Sequence, residues 1–342
     1  MKAPFPWFGG KSRVAGDVWS RFGNIANYVE PFFGSGANLL GRPGNDFGIE
    51  TVNDKDGFVS NFWRATAFDA EAVARAADWP VNENDLHARH AWLVERRDDL
   101  TARLEGDPDY YDAKIAGWWV WGQCSYIGSG WCAGDGPWHV VDGKLVKGDT
   151  GQGIHRKLPH LGDAGRGIHR QLPHLGNAGT GIHRKRPVLG TAGRGLDPSL
   201  ENLLAYFADL KTRLRGVRVC SGDWTRVLGP SPTTKHGLTG VFLDPPYSGG
   251  ERDGDMYAVD SGTVAADVRA WAIEHGDDPL LRIALCGYDT EHEMPSGWSA
   301  FQWKAHGGYG SQSNGRGRAN AARETIWFSP HCLNSRQGAL FA

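Results

Sequence analysis

Val29-Glu30-Pro31-Phe32-Phe33-Gly34-Ser35-Gly36-Ala37 runs an apolar strand end into a glycine turn and then into a helix start over Ala37–Leu40. Glycine lacks a Cβ, so such a turn lets a ligand approach the backbone closely. The N–H groups that follow favour a carboxylate or another polar group. Asn27 to Glu30 reads as the strand that feeds the turn. Asp54 lies 20 residues after Gly34, in Thr51-Val-Asn-Asp-Lys55, a second strand end. An acid at this offset accepts hydrogen bonds from ribose hydroxyls in nucleotide-binding α/β proteins. No third glycine completes GxGxxG, so on these residues alone a nucleoside-type cofactor and an ordinary glycine turn both stay open.

Working outward, Asp56 to Ala77 reads as a helix, with Phe58, Phe62, Trp63 and Phe68 as its packing residues. Leu86 to Leu104 reads as a second, highly charged helix. Leu200 to Leu214 is a third, with Leu203, Leu204, Phe207, Leu210 and Leu214 at helical spacing. Val217 to Cys220, Val241 to Leu243, Ile283 to Cys286 and Thr325 to Phe328 read as strands. Strands alternating with helices predict an α/β fold with a mostly parallel sheet. The stretch from Val81 to about Leu196 breaks the alternation. It divides the chain into 1–80, an insert over 81–196, and 197–342.

The chain has 342 residues, a net charge of -2 and 40% hydrophobic residues, a core-forming composition. No apolar run reaches the roughly 18 residues of a membrane span, and the first residues lack the pattern of a secretory signal. Five cysteines without a CxxC pair argue against a disulfide framework or a zinc site and suit a reducing cytosol. The even charge balance hides an asymmetry. Residues 153–195 hold eight Arg and Lys against one acid, Asp163, which leaves the rest of the chain at -9. A basic segment on an acidic body is one form of a polyanion contact, and a solvated basic loop is the plainer reading. The same segment is a tandem repeat of period 14: Gly153–Arg166, Gly167–Thr180 and Gly181–Arg194. Each unit has one proline and three glycines, which suits short turns rather than helix or long strand.

Val241-Phe-Leu-Asp244-Pro245-Pro246-Tyr247 is an apolar strand ending in a carboxylate, two prolines and an aromatic ring. Open α/β sheets bind ligands beyond the carboxyl ends of their strands. Consecutive prolines fix the backbone and lack N–H donors of their own. Asp244 and the Pro245 carbonyl are therefore candidate acceptors for the two hydrogens of one NH2 group, with Tyr247 placed to stack on the ring that carries it. That describes a site for an exocyclic amine on a planar base.

Glu30-Pro-Phe-Phe-Gly-Ser-Gly36 followed by Asp244-Pro-Pro-Tyr247 resembles the amino-specific DNA methyltransferases. Pro4-Phe-Pro-Trp7-Phe-Gly-Gly-Lys11 is similar to the N-terminal WxGGK motif of the DNA adenine methylase (Dam-type, D12 class) branch, and the order of the motifs matches that branch. The resemblance covers residues 1 to about 60 and 197 to about 330; the 14-residue repeat departs from it. It implies a Rossmann-like methyltransferase sheet with an inserted, mainly helical or irregular DNA-recognition domain, and S-adenosylmethionine as cofactor. Trp7, Lys11, Glu30, Phe32, Gly34 and Gly36 would line that cofactor, with Trp7 and Lys11 over its methionine end. Asp54 would hold its ribose. Asp223 would accept from its adenine amine, with Trp224 packed nearby. Arg323 to Ser329 is similar to the family's closing strand.

The implied reaction is direct methyl transfer to N6 of an adenine flipped out of double-stranded DNA, with Asp244, Pro245, Pro246 and Tyr247 as the catalytic set. N4 of cytosine is also an exocyclic amine, and a catalytically silent DNA-binding relative is the reading from another class. For the DNA contact the sequence offers Tyr126 and Ser129 in a Gly- and Trp-rich segment whose tryptophans otherwise read as core. It also offers Arg156, Arg170 and Arg184 at equivalent repeat positions, and Arg316 and Arg318 in a second Gly-rich loop. No metal is expected. A monomer suffices, since one flipped base needs one pocket. The resemblance points to a cytoplasmic enzyme of bacterial or phage origin and leaves room for a cognate restriction endonuclease.

Overall fold

The computed structural model describes residues 1–7, 10–44, 47–107, 109–126, 131–132, 138–141, 144–147, 200–247, 263–303 and 324–334. The chain opens with α1 (Ala15–Phe22), β1 (Asn27–Glu30), α2 (Ala37–Leu40), β2 (Ile49–Asp54) and α3 (Gly57–Ala77). Three helices follow, α4 (Glu83–Glu95), α5 (Arg97–Gly106) and α6 (Ala113–Ser125), and then a hairpin, β3 (Trp138–Val141) and β4 (Lys144–Lys147). The chain returns through α7 (Leu200–Leu214), β5 (Val217–Ser221), β6 (Thr239–Leu243), α8 (Val264–His275), β7 (Leu281–Tyr288), β8 (Ser299–Gln302) and β9 (Glu324–Phe328).

Seven strands form one mixed sheet in the order β5-β2-β1-β6-β7-β9-β8. β5, β2, β1, β6 and β7 pair in parallel, while β9 is antiparallel to both β7 and β8. The expected α/β class and mostly parallel sheet are therefore present, and the arrangement is compatible with a Rossmann-like fold. Every residue of β1 and of β6 is buried, as expected for central parallel strands covered on both faces. The strand order reverses between β1 and β6. A crevice at the carboxyl ends of the strands opens at such a reversal, and both sequence motifs end there.

Side-chain caps set the helix starts. Asp56 accepts from the backbone N–H of Phe58 at 2.8 Å, Asn82 from Asp85 at 2.8 Å, and Asp112 from Ile115 at 2.8 Å. The single helix expected over Leu86 to Leu104 is instead two, α4 and α5, broken at Arg96. The Arg96 guanidinium bonds the Trp92 carbonyl at 3.0 Å and lies 4.0 Å from that indole's centre, so it takes an acceptor the continuing helix needs. In α3 the backbone departs from helical angles at Asp69, whose carboxylate caps Ala72 at 3.2 Å. Phe58, Phe62 and Trp63 are buried as expected, but Phe68, beside that kink, is 57% exposed and stacks on Tyr111. In α7, Leu203, Phe207, Leu210 and Leu214 are buried and Leu204 is half-buried.

α6 lies along α3, where Gly117 leaves no room for a Cβ against Ala76 and the Val73 carbonyl. Trp119 and Trp121 are buried, and the Trp119 ring meets Phe5 at 4.9 Å and Phe62 at 5.9 Å. Residues 113–125 thus share the hydrophobic core that covers the sheet. Among the described residues, no helix is long and apolar enough to cross a membrane.

Candidate functional site

The turn after β1 is fixed from three sides. The N–H of Phe33 donates to the Asn53 carbonyl at 3.0 Å, that of Gly34 to Asp54 Oδ2 at 2.8 Å, and the Trp63 indole to the Gly34 carbonyl at 2.8 Å. Gly34 and Gly36 have φ of +48° and +66°, in the left-handed region where a side chain is strained. A Cβ at Gly34 would also collide with the Trp7 indole, so glycine lets Trp7 close over the turn. Asn53 Nδ2 donates to the carbonyls of Pro31 at 3.1 Å and Gly222 at 3.0 Å, which ties the ends of β1, β2 and β5 together.

Asp54 is held at the end of β2 with its second oxygen accepting from the Asp56 N–H at 2.9 Å. Burial, then the neighbouring Asp56 charge, push its carboxyl up to about 7, against the pull of these N–H donors. Phe32 and Trp224 stack with centres 6.2 Å apart. Asp223 is exposed and caps the short turn Trp224–Val227, accepting from Thr225 N at 3.0 Å and Thr225 Oγ1 at 2.6 Å through one oxygen. Glu30 is placed differently from these. Its side chain is buried and accepts from the Tyr28 hydroxyl at 2.7 Å, while Asn38 donates to that hydroxyl at 2.7 Å. Burial first, offset by the Tyr28 hydrogen bond, pushes its carboxyl well above the usual range.

At the end of β6, Asp244 Oδ1 lies 3.0 Å from the ammonium of Lys11. Lys11 also donates to the Tyr247 hydroxyl at 2.8 Å and lies 3.5 Å from Glu324 Oε2. Tyr247 O–H is within 2.8 Å of Glu324 Oε2 and 3.2 Å of Asp244 Oδ1. Lys11 is 3% exposed, so burial opposes its charge, but Asp244 and then Glu324 outweigh this and raise its pKa. Burial raises Glu324, partly offset by Lys11. Among the described residues, the contacts to Asp244 all fall on Oδ1; its side chain is 21% exposed. Pro245 is buried and Pro246 half-buried.

Two expectations change in detail. Lys11, expected over the cofactor's methionine end, pairs with Asp244 of the second motif. Tyr247 is 4% exposed, with its ring edge-on to Tyr288 at 4.8 Å and its hydroxyl in the ionic cluster, so it presents no open face for stacking in this state. Tyr126 is half-buried and packs on Trp131 at 5.5 Å. Ser129, Arg156, Arg170, Arg184, Arg316 and Arg318 lie outside the described residues. Sequence reading passed over Glu324, although a carboxylate opening a five-residue strand that ends in Ile-Trp-Phe was a legible signal. No protein-family model matches the chain, and no curated protein matches it.

The residues present fit the nucleoside part of a nucleoside sulfonium cofactor. They supply an aromatic pair, an exposed carboxylate at Asp223 and a second one at Asp54, beside a glycine turn that Trp7 closes over.

Proposed function

We propose that the chain is a site-specific DNA methyltransferase that moves a methyl group from S-adenosylmethionine to N6 of a flipped-out adenine. The observation that carries the reading is the Lys11–Asp244 contact at 3.0 Å. It joins the N-terminal WxGGK-like motif to the DPPY motif at the reversal point of the sheet, beside the Gly34 turn and Asp54.

Phe32 and Trp224 would flank the cofactor's adenine, Asp223 would accept from its amine and Asp54 from its ribose hydroxyls, while Trp7 and the Gly34 turn would bound its methionine end. When bound, S-adenosylmethionine supplies the activated methyl group. The protein's part is positioning. The adenine amine is a poor nucleophile because its lone pair is delocalised into the ring. Asp244 Oδ2 and the Pro245 carbonyl would accept its two N–H groups and draw them out of the ring plane, which localises the lone pair and aims it along the transfer line. Lys11 holds the other carboxylate oxygen still. Base extrusion costs a few kcal/mol, and aromatic stacking of about 1–3 kcal/mol per base offsets part of it. For Tyr247 to supply that stacking, its ring must become accessible when DNA binds. The region 81–196 would carry target recognition, with phosphate contacts from its basic repeat adding affinity without sequence choice.

The test is incubation of the protein with labelled S-adenosylmethionine and unmodified duplex DNA, followed by digestion to nucleosides and mass identification. N6-methyladenine is the expected product. N4-methylcytosine without it overturns the choice of base, and absence of any methylated nucleoside overturns the reading.

A further inference from the structure

We infer that Glu324 is a positioning residue of the same site, holding Lys11 and Tyr247 so that together they fix the rotation of the Asp244 carboxylate. The inference rests on the methyltransferase reading and adds to it a residue that belongs to neither motif.

Glu324 opens β9, the strand that runs antiparallel between β7 and β8. Its register partner is Tyr288 at the end of β7, one strand beyond β6 and Asp244. The side chain is 5% exposed and reaches back across this gap. One oxygen, Oε2, accepts from the Tyr247 hydroxyl at 2.8 Å and faces the Lys11 ammonium at 3.5 Å. Lys11 in turn donates to the Tyr247 hydroxyl at 2.8 Å and pairs with Asp244 Oδ1 at 3.0 Å.

The hydroxyl has a single proton, and this arrangement decides where it goes. With Lys11 donating to the oxygen, the proton is directed to Glu324 at 2.8 Å rather than to Asp244 at 3.2 Å. Asp244 Oδ1 is then held chiefly by Lys11. Without the second carboxylate, the pull on the Lys11 ammonium toward β9 weakens and Asp244 draws it more strongly. The Tyr247 proton would turn to Asp244 Oδ1 as well, and the added donor would rotate the carboxylate away from the setting that leaves Oδ2 open. Buried carboxylates are uncommon in strands and are retained where a partner needs them. Glu324 never touches the reacting atoms, so its removal should slow turnover without weakening ligand binding.

The test compares wild type with Glu324→Gln and Glu324→Asp, each checked for folding by thermal melting. Glu324→Gln should lower kcat by about 10- to 100-fold, the scale of a small misplacement of a reacting group. KM for S-adenosylmethionine and Kd for DNA should stay within about two- to three-fold. Glu324→Asp, which keeps the charge on a shorter arm, should recover part of kcat. In a Lys11→Met background the Glu324→Gln change should cost little more, because the two act as a unit. If Glu324→Gln does not fold, Glu324→Asp takes its place in both comparisons; if Lys11→Met does not fold, the split between kcat and KM decides alone. An unchanged kcat, a loss confined to KM, or losses that multiply independently would overturn the inference. Absence of transfer by the wild type would instead defeat the methyltransferase reading itself.

Discussion

Lys11 Nζ and Asp244 Oδ1 meet at 3.0 Å although they stand 233 residues apart in the sequence, and the lysine is buried. Removing Asp244 leaves the buried Lys11 ammonium with Glu324 at 3.5 Å as a counter-charge. Asp244→Ala is expected to abolish methyl transfer and leave DNA binding largely in place, measured by nucleoside analysis and by titration of fluorescent duplex. Undiminished transfer would remove Asp244 from the site.

Gly34 should tolerate no side chain. Its φ of +48° and the Trp7 indole above it both oppose a Cβ. Gly34→Ala should destabilise the protein by about 1–3 kcal/mol, the range for a strained backbone position, and weaken S-adenosylmethionine binding. Calorimetry and a thermal melt measure both. Wild-type cofactor affinity in this variant would place the ligand elsewhere.

The Asp54 carboxyl is raised to about 7, above the ordinary carboxylate value of about 4. The folded protein therefore holds this proton more tightly than the unfolded chain. Its contribution to stability is full below about pH 4 and is lost as pH rises to about 7. Ribose hydroxyls donate to the ionised form, so cofactor affinity should rise over the same interval. Melting curves from pH 4 to 8 should diverge between wild type and Asp54→Asn; parallel curves would refute the assignment.

Trp119 is 1% exposed among Phe5, Phe62 and Trp7. Trp119→Ala should cost about 3–5 kcal/mol, as large-to-small changes in a core do, while the fraction that remains folded binds DNA as before. A stable variant with lost DNA affinity would make this tryptophan a contact residue instead.

Deletion of residues 153–195, with its excess of seven positive charges, should weaken DNA binding and flatten its dependence on salt. An unchanged slope of log K against log salt would make the repeat a passive insertion.

The strand–turn–helix at Asn27–Leu40 and the strand before Asp244 were legible because apolar runs end there in residues with fixed backbone consequences, glycine and proline. Their meeting at one sheet edge follows from parallel pairing of β1 with β6, which strand–helix alternation already implied. The break at Arg96 was not legible, since it depends on a guanidinium capturing a carbonyl one turn back. The outward turn of Phe68 was hidden for a similar reason, a mid-helix cap by Asp69. Tyr247 read as a stacking ring from its place in the tetrad. Its hydroxyl is drawn inward by Lys11 and Glu324, partners more than 70 residues away in the sequence, and no local pattern encodes that.

β9 slots between two strands made before it, and its first residue brings the second acid to Lys11. Lys11 stands 313 residues before Glu324, so this second counter-charge comes only with the pairing of β9. In the proposed enzyme, a chain cut before Glu324 would keep both motifs and lack the carboxylate that draws Lys11 and the Tyr247 hydroxyl toward β9.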